Sequence, residues 1–304
     1  MANLIDVLAA VDDRPVSESG AFVVDGDAAG AVLGSVFVET SQVCWAAAAG
    51  RGGRLRELLR RHAERMLSDA ELDDVFVRCR DEQRALCDML EERALVSGLG
   101  LRAALKQHTV ESLIAQCDGA REVTWVPHRQ RGYRARFTFP PIELLAATGA
   151  ELYPREAAGA SHGLELALPA ARTAGSFALG DDDEAVAVQV AGTVVAPVRD
   201  LLELGNWAAA ALTACNGFSP TVLARAVATA SGPSALGWRA GRRLVHVAVI
   251  DDPAALSGVV AELGHRGLPA VVSSRLAALQ LPSERSIRSS NPSSVSSSNP
   301  SSNL

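Results

Sequence analysis

The stretch GSVFVETSQVCWA, residues 34–46, decides how the amino-terminal half is read. Residues 35–39 and 43–47 are built around Val, Phe and Trp, the residues that fit a pleated surface. Between them stand the polar Thr40, Ser41 and Gln42. Two strands joined by a short polar turn form a hairpin. Upstream, the apolar run at residues 21–24 stops at Asp25-Gly26-Asp27, a turn signal, so a further strand precedes the pair. At the start, residues 2–12 place Leu4, Val7, Leu8 and Val11 at helical spacing.

Downstream of the hairpin the period changes from two to that of a helix. Leu55, Leu58, Leu59, Ala63 and Met66 form one apolar stripe. Ser68-Asp69-Ala70-Glu71 is a capping-box signature, and Leu72, Val75, Phe76 and Cys79 continue from it. Leu86, Met89 and Leu90 supply a third stripe. The fourth runs from Leu101 through Leu105 and His108 to Leu113 and Cys117. Each stripe is one-sided and short, so these helices must pack together to be stable. Over residues 122–139 alternation returns: Val123 and Trp125 first, then Tyr133, Ala135, Phe137 and Phe139 interleaved with Arg134, Arg136 and Thr138. The expectation is a second hairpin, apolar on one face and basic on the other, ended by Pro140-Pro141.

A short helical piece and a linker containing Pro154, Gly159 and Ser161 follow, and the domain boundary is placed there. The second half then reads as an apolar helix at 164–171 and strands at 176–179, 185–190 and 193–198, the last two hinged at Gly192. Helices follow at 200–215 and 220–230, then a hairpin of 235–240 and 243–250 around Gly241. A helix at 253–263, capped by Asp251 or Asp252, and a short strand at Val271-Val272 complete it. Residues 283–304 are almost entirely Ser, Asn and Pro, with Ser-Ser-Asn-Pro-Ser-Ser at 289–294 and again at 297–302. Such a segment buries too little apolar surface to offset its ordering entropy, and a disordered tail is expected. The expected fold class is therefore α+β, divided as residues 1–155, 160–280 and the tail 283–304.

Composition narrows the function. The chain has 304 residues, 48% hydrophobic and 21% charged, with only 4% aromatic, so Ala, Val and Leu fill its cores. The net charge of -6 disfavours nucleic acid as the main partner, because phosphate backbones call for a positive field. The five cysteines form no CxxC pair and no cluster with zinc-ligand spacing, which fits core thiols in a reducing cytoplasm. The amino terminus lacks a basic signal-peptide region. The uncharged stretch after Glu203 is interrupted by Asn206, Asn216, Gly217 and Pro220, so it reads as two helices and no membrane span is expected.

No catalytic or nucleotide motif is present: no Walker-type phosphate loop, GxGxxG, GxSxG or HExxH. The six histidines are scattered. Arg51-Gly52-Gly53-Arg54 precedes a helix and could meet an anion there, but it reads first as a turn. The acidic run 181–184 lacks the spacing of a calcium loop. What remains is an interaction surface. Arg129, Arg131, Arg134 and Arg136 cluster beside His128 in an otherwise acidic chain, and such a patch can dock an acidic partner. Equally, these arginines can keep an edge strand soluble. Trp207, within an Ala-rich helix, marks a second candidate surface, suited to pairing with another copy.

Two stretches carry a family resemblance. Residues 34–46, followed by Gly50 and the helix through Leu55 and Leu59, resemble the PATAN-like module of bacterial signalling proteins. The segments 86–95 and 101–108 resemble the helical extension that accompanies it. Thr40-Ser41 stands where that module carries a glycine-bearing turn. The region 160–275 resembles a Roadblock/dynein-light-chain-like domain, on the hairpin pivoting at Gly192, the helix after it, and 243–250 leading into 253–263. It departs by offering two strands, not three, between its central and last helices. The resemblance implies a Roadblock-like α/β sandwich, a homodimer through the second domain, and a non-enzymatic signalling regulator or scaffold acting on a Ras-like small GTPase, with no cofactor. Two alternatives stand beside it: a module docking an acidic protein or nucleic acid through residues 128–136, and an enzyme whose site is assembled from distant residues.

Overall fold

The structure is a computed structural model that describes residues 4–26, 31–82, 84–117, 120, 122–181, 184–193, 196–215 and 233–273. The expected helix at 220–230 and the Ser/Asn/Pro tail lie outside the described residues. Helix α1 (Leu4–Asp12) buries Val7, Leu8 and Val11. Strands β1 (Ser19–Asp25), β2 (Val32–Glu39) and β3 (Gln42–Ala48) follow as an antiparallel meander, and β4 (Glu122–Pro127) later joins the free side of β1. The sheet order is β3-β2-β1-β4.

The hairpin at residues 34–46 is present, with a two-residue turn. Thr40 and Ser41 both have positive φ, 53° and 57°, the backbone that matches the twist of flanking strands. Neither is glycine, and both side chains offset the strain. Thr40 Oγ1 donates to the Glu39 carbonyl and Ser41 Oγ to the Arg14 carbonyl, each at 2.7 Å. Gln42, expected in the turn, is the first residue of β3.

Four helices pack beside this sheet: α2 (Arg54–His62), α3 (Asp69–Asp81), α4 (Leu86–Glu92) and α5 (Gly98–Cys117). The capping box forms at α3. Ser68 Oγ accepts from the Glu71 N–H at 3.3 Å, and the Glu71 carboxylate accepts from the Ser68 N–H at 2.9 Å. The long α5 lies against β3 and α2, burying Leu101, Leu105 and Leu113.

The region read as a helical piece and linker is instead two consecutive helices, α6 (Pro141–Leu152) and α7 (Pro154–Leu164). Each begins with proline, whose missing N–H costs nothing in the first turn. Helix α6 lies so close to the second sheet that a Cβ on Gly149 would sit 1.9 Å from the Ala187 carbonyl oxygen. The apolar run at 164–171, expected as a helix, ends α7 and passes through turns into β5 (Ala171–Leu179).

The second sheet contains β5, β6 (Ala185–Gly192), β7 (Ser234–Arg239), β8 (Leu244–Ile250) and β9 (Ala270–Ser273), all antiparallel in the order β6-β5-β8-β7-β9. Among the described residues of the expected strand at 193–198, none is in a strand: β6 ends at Gly192, and α8 (Val198–Cys215) begins at the last of them. Helices cover both faces. Leu201, Leu204 and Ala208 of α8 share a buried cluster with Phe177, Val245 and Val247. On the opposite face, Leu164 of α7 and Leu256, Val259 and Leu263 of α9 (Pro253–His265) pack with Leu236, Trp238, Ala248 and Ile250. This explains why every residue of β8 is buried. The first of these clusters also contains Val7, Leu58, Phe139 and Leu144, so one apolar core runs from the first sheet into the second.

Candidate interaction surface

The arginine cluster does not lie on a hairpin. After β4, residues 128–134 form an irregular loop that closes in a single 3-10 turn at Ala135–Phe137. The reason is a carboxylate from the first hairpin. Glu39 is 2% exposed, and it accepts backbone N–H bonds from Arg131 (2.5 Å), Gly132 (3.0 Å) and Tyr133 (3.2 Å). Gly132 has φ +75°, which turns successive amides toward one point and makes a concave anion nest. With those amides committed to a side chain, they are not available to a strand ladder.

Arginines 134 and 136 are also committed. Arg134 pairs with Asp88 at 2.8 Å and with Glu91 at 3.2 Å, and Arg136 pairs with Glu91. Both clamp the loop to α4, so they are internal ties and not a basic strand face. Arg102 adds a third tie from α5, donating to the carbonyl of Thr138 at 3.0 Å, while its guanidinium lies 4.6 Å from the centroid of Phe139. Arg129 and Arg131 are different. Both are exposed, and among the described residues neither guanidinium pairs with a carboxylate. The Arg131 side chain bonds that of Tyr133, while its backbone N–H is held by Glu39. The candidate docking surface thus contracts from four arginines to these two, presented on a loop held rigidly from below.

Trp207 lies on α8, half-buried and packed against the main core. A Cβ on Gly237 of β7 would be 3.5 Å from its ring. It serves as a cover between α8 and the sheet more than as a free apolar patch. A more open feature is the edge of β6. Residues 188–192 border a groove of about 570 Å³, whose other wall is Ile142, Ala146 and Ala150 of α6.

A serine–histidine pair does assemble from distant positions. Ser176 Oγ lies 2.8 Å from His246 Nδ1, 70 residues away in sequence. Both side chains are 0% exposed, and Gly163 packs against the ring so closely that a Cβ there would be 2.0 Å from Nε2. Burial lowers the imidazole pKa to about 4, so the ring is neutral near pH 7. The geometry is that of a hydrogen-bonded core pair, closed to any substrate.

Cys44 and Cys87 are pushed up to about 12, chiefly by burial, and Cys117 to about 11 for the same reason. Such thiols carry almost no thiolate at neutral pH. The side chain of Cys215 lies outside the description. Among the described residues no group of three or more His, Cys, Asp or Glu could hold a metal ion, and no helix is long and apolar enough to cross a membrane. Compared with protein-family models, curated proteins and solved structures, the chain matches none of them.

Proposed function

We propose that this chain is a non-enzymatic signalling regulator or scaffold that works by protein–protein contact, as a homodimer acting on a Ras-like small GTPase. The observation that carries the reading is the second sheet. Five antiparallel strands are covered by α8 on one face and by α7 and α9 on the other, and the edge strand β6 borders an apolar groove. An edge strand offers N–H and C=O groups to a second chain wherever they are left uncovered, here by α6, which packs along β6. The strand order in the chain supports a Roadblock-like arrangement in part: a strand pair, a helix, a second strand pair and a helix. Only two strands separate α8 from α9 among the described residues, and the remaining one, β9, follows α9.

Light scattering on the full chain tests the dimer. A mass of two copies at micromolar concentration supports the reading, and a strict monomer overturns it. Affinity capture with Ras-like GTPases loaded with GDP or a GTP analogue tests the partner class.

A second reading rests on the 128–136 loop, as a module that docks an acidic protein. The observation in its favour is that Arg129 and Arg131 are exposed and that neither guanidinium pairs with a carboxylate among the described residues. Salt-sensitive partner binding that is lost in the Arg129→Ala, Arg131→Ala double variant would support it.

A further inference from the structure

Strand β4 stands last in the order β3-β2-β1-β4, and the element that packs along it is β1. Bonded positions alternate along an antiparallel pair. The His128 N–H donates to the Ser19 carbonyl at 3.0 Å, and the pairing continues without a shift from Gly20 opposite Pro127 to Asp25 opposite Glu122. The even-numbered residues of β4 therefore bond to β1. Val123 and Trp125 turn their N–H and C=O groups outward, and Pro127 turns its carbonyl outward. Among the described residues no other group takes these up. Proline fits here because the N–H it lacks would have faced solvent.

Pro127 trims this edge by one donor but does not close it. No lysine or arginine lies between Glu122 and Pro127, and Val126 is 46% exposed, whereas protected edges are commonly covered or charged. The strand is also fixed in place. The Trp125 ring lies 4.8 Å from that of Phe22 between centroids, under the Arg14 guanidinium at 4.5 Å. It crosses β1 where Gly20 leaves room, since a Cβ there would be 2.3 Å from the indole.

Charge gives the edge a direction. Exposed Glu122 opens β4. Beyond its far end come Arg129 and Arg131, exposed and without a carboxylate for either guanidinium among the described residues, on the loop that Glu39 anchors. A strand laid antiparallel to β4 begins beside that basic end.

We propose that the outer edge of β4 receives an extended acidic peptide as a fifth, antiparallel strand, with carboxylates near its amino terminus meeting Arg129 and Arg131. This rests on the reading of the 128–136 loop as a dock for an acidic protein, and it supplies the backbone geometry of that dock. Main-chain bonds to Val123 and Trp125 give affinity, and the arginines select the charge and polarity of the segment. A nucleic acid lacks the alternating N–H and C=O groups that this edge matches. A second copy would bring another Pro127, and with it the loss of another donor.

Amide exchange followed by NMR on the full chain tests this. The probe is a peptide, acetylated and amidated at its ends, in which a pair of glutamates precedes alternating Thr and Val. The expected result is saturable binding tighter than about 1 mM, with exchange slowed at the Val123 and Trp125 amides. Affinity falls about tenfold in the Arg129→Ala, Arg131→Ala double variant, and about tenfold for the peptide of reversed sequence. The variant Arg266→Ala, on α9, leaves the affinity unchanged. Both replaced arginines are exposed, so the fold is retained, and circular dichroism checks this. Binding that needs the arginines but leaves Val123 and Trp125 unprotected would overturn strand addition while leaving the acidic dock standing. Absence of saturable binding would overturn the proposal. So would protection of the same amides in the free chain that rises with its concentration, which assigns the edge to a second copy. Tighter binding of a single-stranded oligonucleotide than of the peptide would also overturn it.

Discussion

Asp12, the last residue of α1, accepts a hydrogen bond from the backbone N–H of Val198, the first residue of α8, at 2.8 Å across 186 positions of sequence. One carboxylate thus caps a helix that belongs to the other half of the chain. Burial, and then the neighbouring Asp13 and Asp200, raise its pKa to about 6 against the bond from Val198.

This group and His246 oppose one another in pH. A folded pKa above the unfolded 3.8 means that the contribution of Asp12 is fully present below about pH 4 and is lost as pH rises through about 6. Two units correspond to about 3 kcal/mol, and on the order of 1–2 kcal/mol after screening of a part-exposed group. His246 runs the other way. Its folded pKa of about 4 lies below the unfolded 6.5, so its contribution is present above pH 6.5 and is lost as pH falls through 4. Relative to the parent chain, Asp12→Asn should gain stability as pH rises from 4 to 6. His246→Gln should show the opposite difference, with a change of about 3 kcal/mol. Urea unfolding at several pH values measures both, and parallel curves for parent and variants would refute the assignment.

Removing the Glu39 carboxylate should free the 128–133 loop. Glu39→Ala leaves three backbone amides without their acceptor and is expected to cost about 2–3 kcal/mol. Limited trypsin digestion should then cut first at Arg129 and Arg131, which are exposed but held in place in the parent. An unchanged cleavage pattern would mean that the loop is held by its arginine ties to α4 alone.

Gly163 is required by packing. A methyl there collides with His246 Nε2, so Gly163→Ala should destabilise by about 1–3 kcal/mol through overpacking. Combining it with His246→Ala should restore part of that loss, because the cavity and the methyl compensate. Thermal or urea unfolding of the single and double variants gives the coupling energy.

At α3, Ser68→Ala breaks the capping box and should cost about 1 kcal/mol. Glu71→Gln should cost less, since an amide oxygen can still accept from the Ser68 N–H.

Elements that depend on near neighbours were legible in the chain. The 34–46 hairpin, the α3 capping box, the β7–β8 hairpin around Gly241 and the Asp252 cap of α9 each rest on contacts a few residues apart. Residues 128–139 were misread because alternation of apolar and basic side chains reports which faces exist, not what the backbone bonds to. The capture of that loop by Glu39 spans more than 90 positions, and the pairing of Arg134 and Arg136 with α4 spans more than 40. Similarly, the 193–198 stretch has strand composition, yet Val198 starts a helix whose cap comes from Asp12.

The sequence alone therefore determined the class of the fold, the position of the basic segment and the absence of familiar catalytic motifs, since these follow from composition and local periodicity. Tertiary structure decided which arginines remain free, which carboxylate anchors the loop, and that β4 stands at an edge of its sheet. Those relationships are set by long-range packing and by competition among charges for partners, and neither is written in the spacing of neighbouring residues.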